Sequence, residues 1–286
     1  MSKIALLSQE TIDKIAAGEV VERPSSVVKE LVENAIDAGA SAITVEIKEG
    51  GISLIRITDN GCGIPKEEVP LAFLRHSTSK IRSAEDLMCV HSLGFRGEAL
   101  SSIAAVSRVE MITKPADALT GTRYVIEGSK EIADEEIGAP DGTTFLVRDL
   151  FYNTPARRKF LKTAQTEGTY ISDMLEKLAL SHPDISFKYI NNNQTRLHTS
   201  GNGKKRDLIY HIYGREIAAA LLEVNYKGEY FSLSGYIGKP VINRGNRNYE
   251  NYFINGRYIK SSLLSRSIEE LSLIHISEPT RRSYIS

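Results

Sequence analysis

Cysteine is scarce in this 286-residue chain, net charge is zero, and long apolar runs are missing. Only Cys62 and Cys89 occur, too few for a metal cage without other partners, so both are expected to pack as small free thiols. With 36 basic and 36 acidic side chains, the overall charge gives no argument for nucleic acid. Any such binding must come from a local basic patch. No run approaches the ~20 apolar residues that a membrane span needs, and the opening MSKIALLSQE has no apolar signal core. Internal repeats and low-complexity tracts are absent as well. What remains is an ordinary globular composition, 41% hydrophobic and 25% charged, expected to be soluble and cytoplasmic, with no membrane partner and with one large or two smaller domains.

The final segment, LSLIHISEPTRRSYIS at 271–286, looks foreign to what precedes it. Leu271 to Arg281 resembles the conceptual translation of a transposon sequencing adapter. It is therefore expected to be non-native and to carry no function, with the natural chain cut off near residue 270. Within 1–270, ITVEIKEGGISLIRITDNG alternates apolar residues around Gly50-Gly51, the pattern of a two-stranded hairpin. It follows a helix whose start is marked by Pro24, Ser25 and Ser26. Further strands are expected in SRVEMIT, TRYVIEG and TTFLVRDL, and helices over 98–105 and 166–181. Interleaved helices and strands favour a layered α/β sandwich. Near residue 200, TSGNGKKR reads as a linker. A helix around 205–213, strands near 218–225 and 229–237, and NYFINGRYIK form a second unit too small to be more than marginal alone.

The helix over 26–40, SVVKELVENAIDAGA, poses the functional question. Val27, Val28, Leu31, Val32, Ala35 and Ile36 recur at helical spacing, and so do Glu30, Asn34 and Asp37. At about 100° per residue the polar three fall within roughly 60° of one another, a narrow line on a largely apolar helix. The amide oxygen of Asn34 can ligate Mg²⁺ while Glu30 orients and deprotonates a water. DNGCGI, Asp59 to Ile64, follows a strand directly. Gly61 and Gly63 let backbone approach a flat ligand, and Asp59 can accept from an exocyclic amine. SLGFRGEALSSI places Gly94, Phe95, Arg96 and Gly97 ahead of a helix, where backbone N–H groups can cradle phosphate. It is not a P-loop, because no Gly-Lys-Ser/Thr follows at the required spacing. RHSTSK adds Thr78, Ser79 and Lys80, and DGTTFLV puts Thr143 at a strand start, where its hydroxyl can support Asp59 directly or through water. Taken singly, each has a bland reading: a solvated helix face, an Asx turn, a cap, a polar connection.

Their order changes that. AAGEVVERPSSVVKELVENAIDAGA, DNGCGI, RHSTSK, GFRGEALSSI and FYNTPARRKFLK together resemble the MutL family of DNA mismatch repair proteins, from about residue 3 to 270. The resemblance implies an α/β fold, a two-layer α+β sandwich of the GHKL (Bergerat) ATPase kind over 1–200, with a truncated ribosomal-S5-like α/β domain over 201–270. It implies ATP and Mg²⁺ as cofactors, with Glu30 as general base and Asn34 as metal ligand. Asp59 would take the adenine amine, with Gly61, Gly63 and Thr143 shaping the base pocket. Thr78, Ser79 and Lys80 would belong to an ATP lid, and Gly94, Phe95, Arg96 and Gly97 to a phosphate loop. Asp37 is expected to be structural. The resemblance also implies an ATP-dependent homodimer joined through the N-terminal segment, a DNA partner, a mismatch-recognition protein and downstream repair enzymes. DNA contacts are expected at Arg157 and Arg158 of ARRKFLK and at Arg257 and Lys260 of NGRYIK, although a fold-pinning role for the first cluster stays open. The lysine by which the family's second domain reaches the terminal phosphate would lie beyond residue 270, so turnover by this chain is expected to be impaired. A nucleotide-binding adaptor is the alternative. A sensor kinase is disfavoured, because the six histidines show no separate dimerisation helix around them.

Overall fold

The computed structural model describes residues 8–77, 93–94 and 97–275. The chain divides into two compact units, residues 1–179 with 184–203, and residues 180–183 with 204–286.

The first unit is built on an eight-stranded sheet. Its strands are β1 (Ala42–Lys48), β2 (Leu54–Asp59), β3 (Arg108–Lys114), β4 (Gly121–Glu127), β5 (Lys130–Ile137), β6 (Gly142–Arg148), β7 (Ser186–Asn191) and β8 (Gln194–His198). They lie in the order β5-β4-β3-β6-β2-β1-β7-β8. Neighbours are antiparallel except β1 and β7, which run parallel with Ala42 opposite Ser186. Among the described residues its α-helices are α1 (Gln9–Val20), α2 (Pro24–Asp37), α3 (Val69–Ala72), α4 (Ala99–Val106), α5 (Pro155–Phe160) and α6 (Ala164–Ser181).

Register organises the buried face into rows. Ile55, Val147, Val109 and Ile126 stand opposite one another across β2, β6, β3 and β4, and Ile57, Phe145, Met111 and Tyr124 form the next row. All eight are buried, and full burial of one such aliphatic side chain contributes about 1.5–3 kcal/mol. The third row is polar: Asp59, Thr143, Thr113 and Thr122. The opposite face carries ion pairs. Glu110 accepts from Arg123 at 2.7 Å and Arg148 at 2.8 Å, and Arg56 pairs with Glu46. One face packed and one charged is the two-layer sandwich that the interleaved elements predicted.

Helix α2 begins at Pro24, where a fixed φ and a missing N–H cost nothing. It buries Val27, Val28, Leu31, Val32 and Ala35. A Cβ on Gly51 would come 2.9 Å from Pro24 of α2, 3.2 Å from Ile55 of β2 and 3.3 Å from Ile171 of α6, so both helices meet this edge of the core. Helix α1 buries Ala17, with Val21 beyond it, inside its own unit, while Ile12 and Ile15 stay 39% and 55% exposed.

The second unit contains α7 (Lys205–Tyr213), α8 (Arg215–Ala219), an antiparallel pair β9 (Leu221–Lys227) and β10 (Ser232–Gly238), a hairpin β11 (Tyr252–Ile254) and β12 (Arg257–Ile259), and α9 (Ser262–His275). The strand expected near 218 starts instead at Leu221. Gly214, at φ 87, ends α7, and Arg215–Ala219 then adds another helical turn before the chain extends.

Candidate nucleotide site

The C-terminal turn of α2 is where three separate sequence segments meet. The carbonyl of Ala38, just past the helix, accepts the N–H of Cys62 at 3.0 Å, and a Cβ on Gly61 would come 2.9 Å from that same carbonyl. The DNGCGI loop is therefore pressed against the end of the helix that carries the polar stripe. From the other side, Asp37 Oδ1 accepts the backbone N–H of Leu93 at 2.9 Å and its Oδ2 that of Gly94 at 3.1 Å. The stripe, the DNGCGI loop and the start of the glycine loop are thus brought to one place.

Asp59 ends β2 and is 8% exposed. Its Oδ1 accepts from Gly61 N–H at 2.8 Å and Thr143 N–H at 3.3 Å. Among the described residues no donor reaches Oδ2. Burial pushes the Asp59 carboxyl above its ordinary value, with the two backbone bonds opposing that shift. Thr143 supports Asp59 through its backbone N–H, whereas its hydroxyl lies 2.9 Å from Thr113 Oγ1. Gly63, at φ 70, sits where a Cβ would be 2.4 Å from the Lys114 carbonyl, and Gly142, at φ 105, where one would be 2.2 Å from the Asp59 carbonyl. Both positions need a left-handed backbone and the absence of a side chain.

On α2, Glu30 is partly exposed, with its carboxylate 3.3 Å from Lys29 Nζ, which also pairs with Glu33 at 3.0 Å. Burial by itself would lower the Lys29 ammonium, but the carboxylates of Glu33 and Glu30 outweigh it and hold that lysine above its usual value. Asn34 lies one turn on and is half-buried. Gly97 packs on Ser77, whose carbonyl would be 2.5 Å from a Cβ there. Beside it, His76 Nδ1 is 3.1 Å from Glu98 Oε1. The sequence-predicted Thr78, Ser79, Lys80, Phe95 and Arg96 lie outside the described residues.

The basic segment divides. Arg157 donates to the Val21 carbonyl at 3.0 Å and lies 5.9 Å from the Phe151 ring centre, with its guanidinium over Gly18. Its charge is spent within the unit, whereas Arg158 is exposed. Arg257 and Lys260, in the second unit, are exposed as well. Thr113 was missed by sequence reasoning. The available signal was a threonine at the third inward position of β3, after Val109 and Met111.

A layered sheet with its polar row beside a helix bearing Glu30 and Asn34 defines the GHKL class of ATPase folds. The family model for histidine kinase-, DNA gyrase B-, and HSP90-like ATPase matches residues 19–148. The model for the DNA mismatch repair protein, C-terminal domain, matches residues 209–279. The chain belongs to the MutL family of DNA mismatch repair proteins. It is 80% identical over 270 residues to the MutL protein of Agathobacter rectalis, covering 94% of this chain and 42% of that one. It is 50% identical over the same length to that of Thermoanaerobacter pseudethanolicus, covering 44% of it, so the chain spans less than half of these relatives. Among solved structures it is similar to the Aquifex aeolicus MutL ATPase domain complexed with ADP, at 28% identity and a TM-score of 0.68 over 88% of this chain and 89% of that one. It is also similar to the N-terminal domain of a DNA repair protein, at 26% identity and a TM-score of 0.76 over 92% of this chain and 82% of that one. Among the described residues no helix is long and apolar enough to cross a membrane.

Proposed function

We propose that this chain binds ATP with Mg²⁺ and hydrolyses it to ADP and phosphate, as the switch of a dimeric, DNA-associated clamp in mismatch repair. The observation that carries this reading is the convergence at the end of α2. The helix bearing Glu30 and Asn34 is bonded through Ala38 to the loop that follows Asp59, and through Asp37 to the loop at Gly94. A carboxylate for a base amine, a carboxylate for a water and a backbone loop for phosphates then belong to one pocket.

Each residue has a separate task. Asp59 Oδ2 accepts from the exocyclic amine of adenine, while Gly61 and Gly63 leave room for the ring. Glu30 takes a proton from the water that attacks the terminal phosphorus, as the bond to the β-phosphate oxygen breaks. The donor set suits Mg²⁺: among the described residues no group of three His, Cys, Asp or Glu could hold a metal, and the Asn34 amide oxygen is a hard donor that nucleotide phosphates and waters would complement. When bound, that ion neutralises charge on the phosphates. Thr78, Ser79, Lys80, Phe95 and Arg96 complete the lid and phosphate loop in this proposal. The ADP complex of the Aquifex aeolicus relative supports the nucleotide.

Two such chains associate through the N-terminal segment, for which the exposed Ile12 and Ile15 of α1 argue. Exposed Arg158, Arg257 and Lys260 contact DNA phosphates, and a mismatch-recognition protein and downstream repair enzymes act with the complex in the cytoplasm. Residues 1–200 form the ATPase domain, 201–270 part of a second domain, and 271–286 a non-native tail.

The test compares phosphate release and nucleotide binding by the wild type, Glu30→Ala and Asn34→Ala. Turnover lost in Glu30→Ala with binding intact, and Mg²⁺-dependent binding weakened in Asn34→Ala, are the expected results. Equal turnover in wild type and Glu30→Ala would remove Glu30 from the mechanism. Binding without turnover in any of the three would leave an adaptor that uses ATP as a structural ligand.

A further inference from the structure

Thr113 is fully buried in β3, in the same cross-strand row as Asp59 and Thr143. Its Oγ1 accepts the N–H of Ile64, the last residue of the DNGCGI loop, at 2.9 Å. It also lies 2.9 Å from Thr143 Oγ1 and 3.3 Å from the Gly142 carbonyl. A hydroxyl has one proton and two lone pairs. Ile64 occupies one lone pair, and the proton has two destinations, of which the shorter is Thr143. When Thr113 donates there, the Thr143 proton must turn away from Thr113, toward the Asp59 end of the row.

We propose that Thr113 is a positioning residue that sets the hydrogen-bond polarity of Thr143, and with it the preference of the pocket for adenine over guanine. The inference rests on the ATP reading above. With Asp59 accepting and Thr143 donating, the pocket asks for a base edge that presents an amine donor and then a ring-nitrogen acceptor. Adenine offers that order through its amino group and N1. Guanine presents the reverse, a carbonyl and then N1–H, and would set acceptor against Asp59 and donor against donor at Thr143. Replacing Thr113 frees the Thr143 hydroxyl to rotate and releases the Ile64 end of the loop.

The experiment measures dissociation constants of ATP, GTP and 1-deaza-ATP, in which C–H replaces N1, for wild type, Thr113→Val and Thr113→Ser, beside thermal unfolding of each without nucleotide. Wild type is expected to bind 1-deaza-ATP about tenfold more weakly than ATP, the loss of one hydrogen bond to a buried group. Thr113→Val should lose about tenfold more for ATP than for 1-deaza-ATP, so the ratio between them collapses and discrimination against GTP falls. Thr113→Ser should restore both. If Thr113→Val does not fold, Thr113→Ala is read by the same ratio. Equal weakening of ATP and 1-deaza-ATP, or an unchanged ratio, overturns the inference and leaves ATP binding standing. A wild type that binds no ATP overturns both.

Discussion

The two oxygens of Asp37 hold the backbone N–H groups of two successive residues, Leu93 at 2.9 Å and Gly94 at 3.1 Å. A carboxylate can do this because both its oxygens are acceptors; a carboxamide can do it with only one. Asp37→Asn is therefore expected to weaken binding of a non-hydrolysable ATP analogue by about 10- to 100-fold, the scale of one charge-assisted bond, while the nucleotide-free chain melts within a few degrees of wild type. Titration calorimetry reads the first quantity, and unchanged affinity would show that this link does not position the loop.

Asp59 carries a stability cost with a definite sign. Burial raises its folded-state pKa above the ordinary 3.8, so between those values the folded chain holds a proton that the unfolded chain has released. Stability then falls as pH rises through that window. Asp59→Asn retains an acceptor for Gly61 and Thr143 without a buried charge. It is expected to melt at or above the wild-type temperature at pH 7, with the gap closing below pH 4, and to show no stabilisation by nucleotide. Melting curves from pH 3 to 8 check both parts. A variant less stable than wild type at pH 7 would contradict the sign.

Arg157 and Arg158 are neighbours with opposite expected phenotypes. Arg157→Ala breaks the bond to Val21 and strips the cover from Gly18. Its cost should be about 1–3 kcal/mol of stability, with the salt dependence of DNA binding unchanged. Arg158→Ala should leave the melting temperature alone. It should also flatten the slope of log affinity against log salt by about 0.9 if that residue contacts one duplex phosphate.

Gly142 offers a backbone test. At φ 105, with 2.2 Å between a would-be Cβ and the Asp59 carbonyl, Gly142→Ala should disrupt the start of β6 and cost about 1–3 kcal/mol or more. Gly138→Ala, where a Cβ would meet nothing within 4 Å, should be close to neutral. Similar melting of the two variants would mean that the strand start adapts.

Much of this was legible from short-range patterns. The stripe on α2, the β1–β2 hairpin and strands β3, β4 and β6 announce themselves through helical or alternating periodicity. Strand β5 did not, because KEIADEEI lies at the sheet edge and exposes most of its side chains, leaving no apolar alternation to read. The DNGCGI and glycine-loop motifs were recognisable, but their convergence on Ala38 and Asp37 was not. Those bonds join positions 56 and 57 apart at Asp37, and backbone donors carry no residue signature. Asp37 read as structural, yet its partners could come only from the fold. Thr113 was hidden for a related reason: its role depends on which strand lies beside β3.

The parallel pairing of β1 with β7 sets a timetable for making the protein. Apart from β2 with β6, which pairs Leu54 with Arg148, the other neighbours in the sheet are closer in sequence, whereas Ala42 must wait for Ser186. On a ribosome, the segments that contribute Glu30, Asn34 and Asp59 emerge early, while β7, which pairs with β1, emerges more than a hundred residues later. Loop closure over that separation is slow. The edge of β1 therefore stays open until β7 has been made, which leaves it exposed to mispairing and to chaperones in the nascent chain.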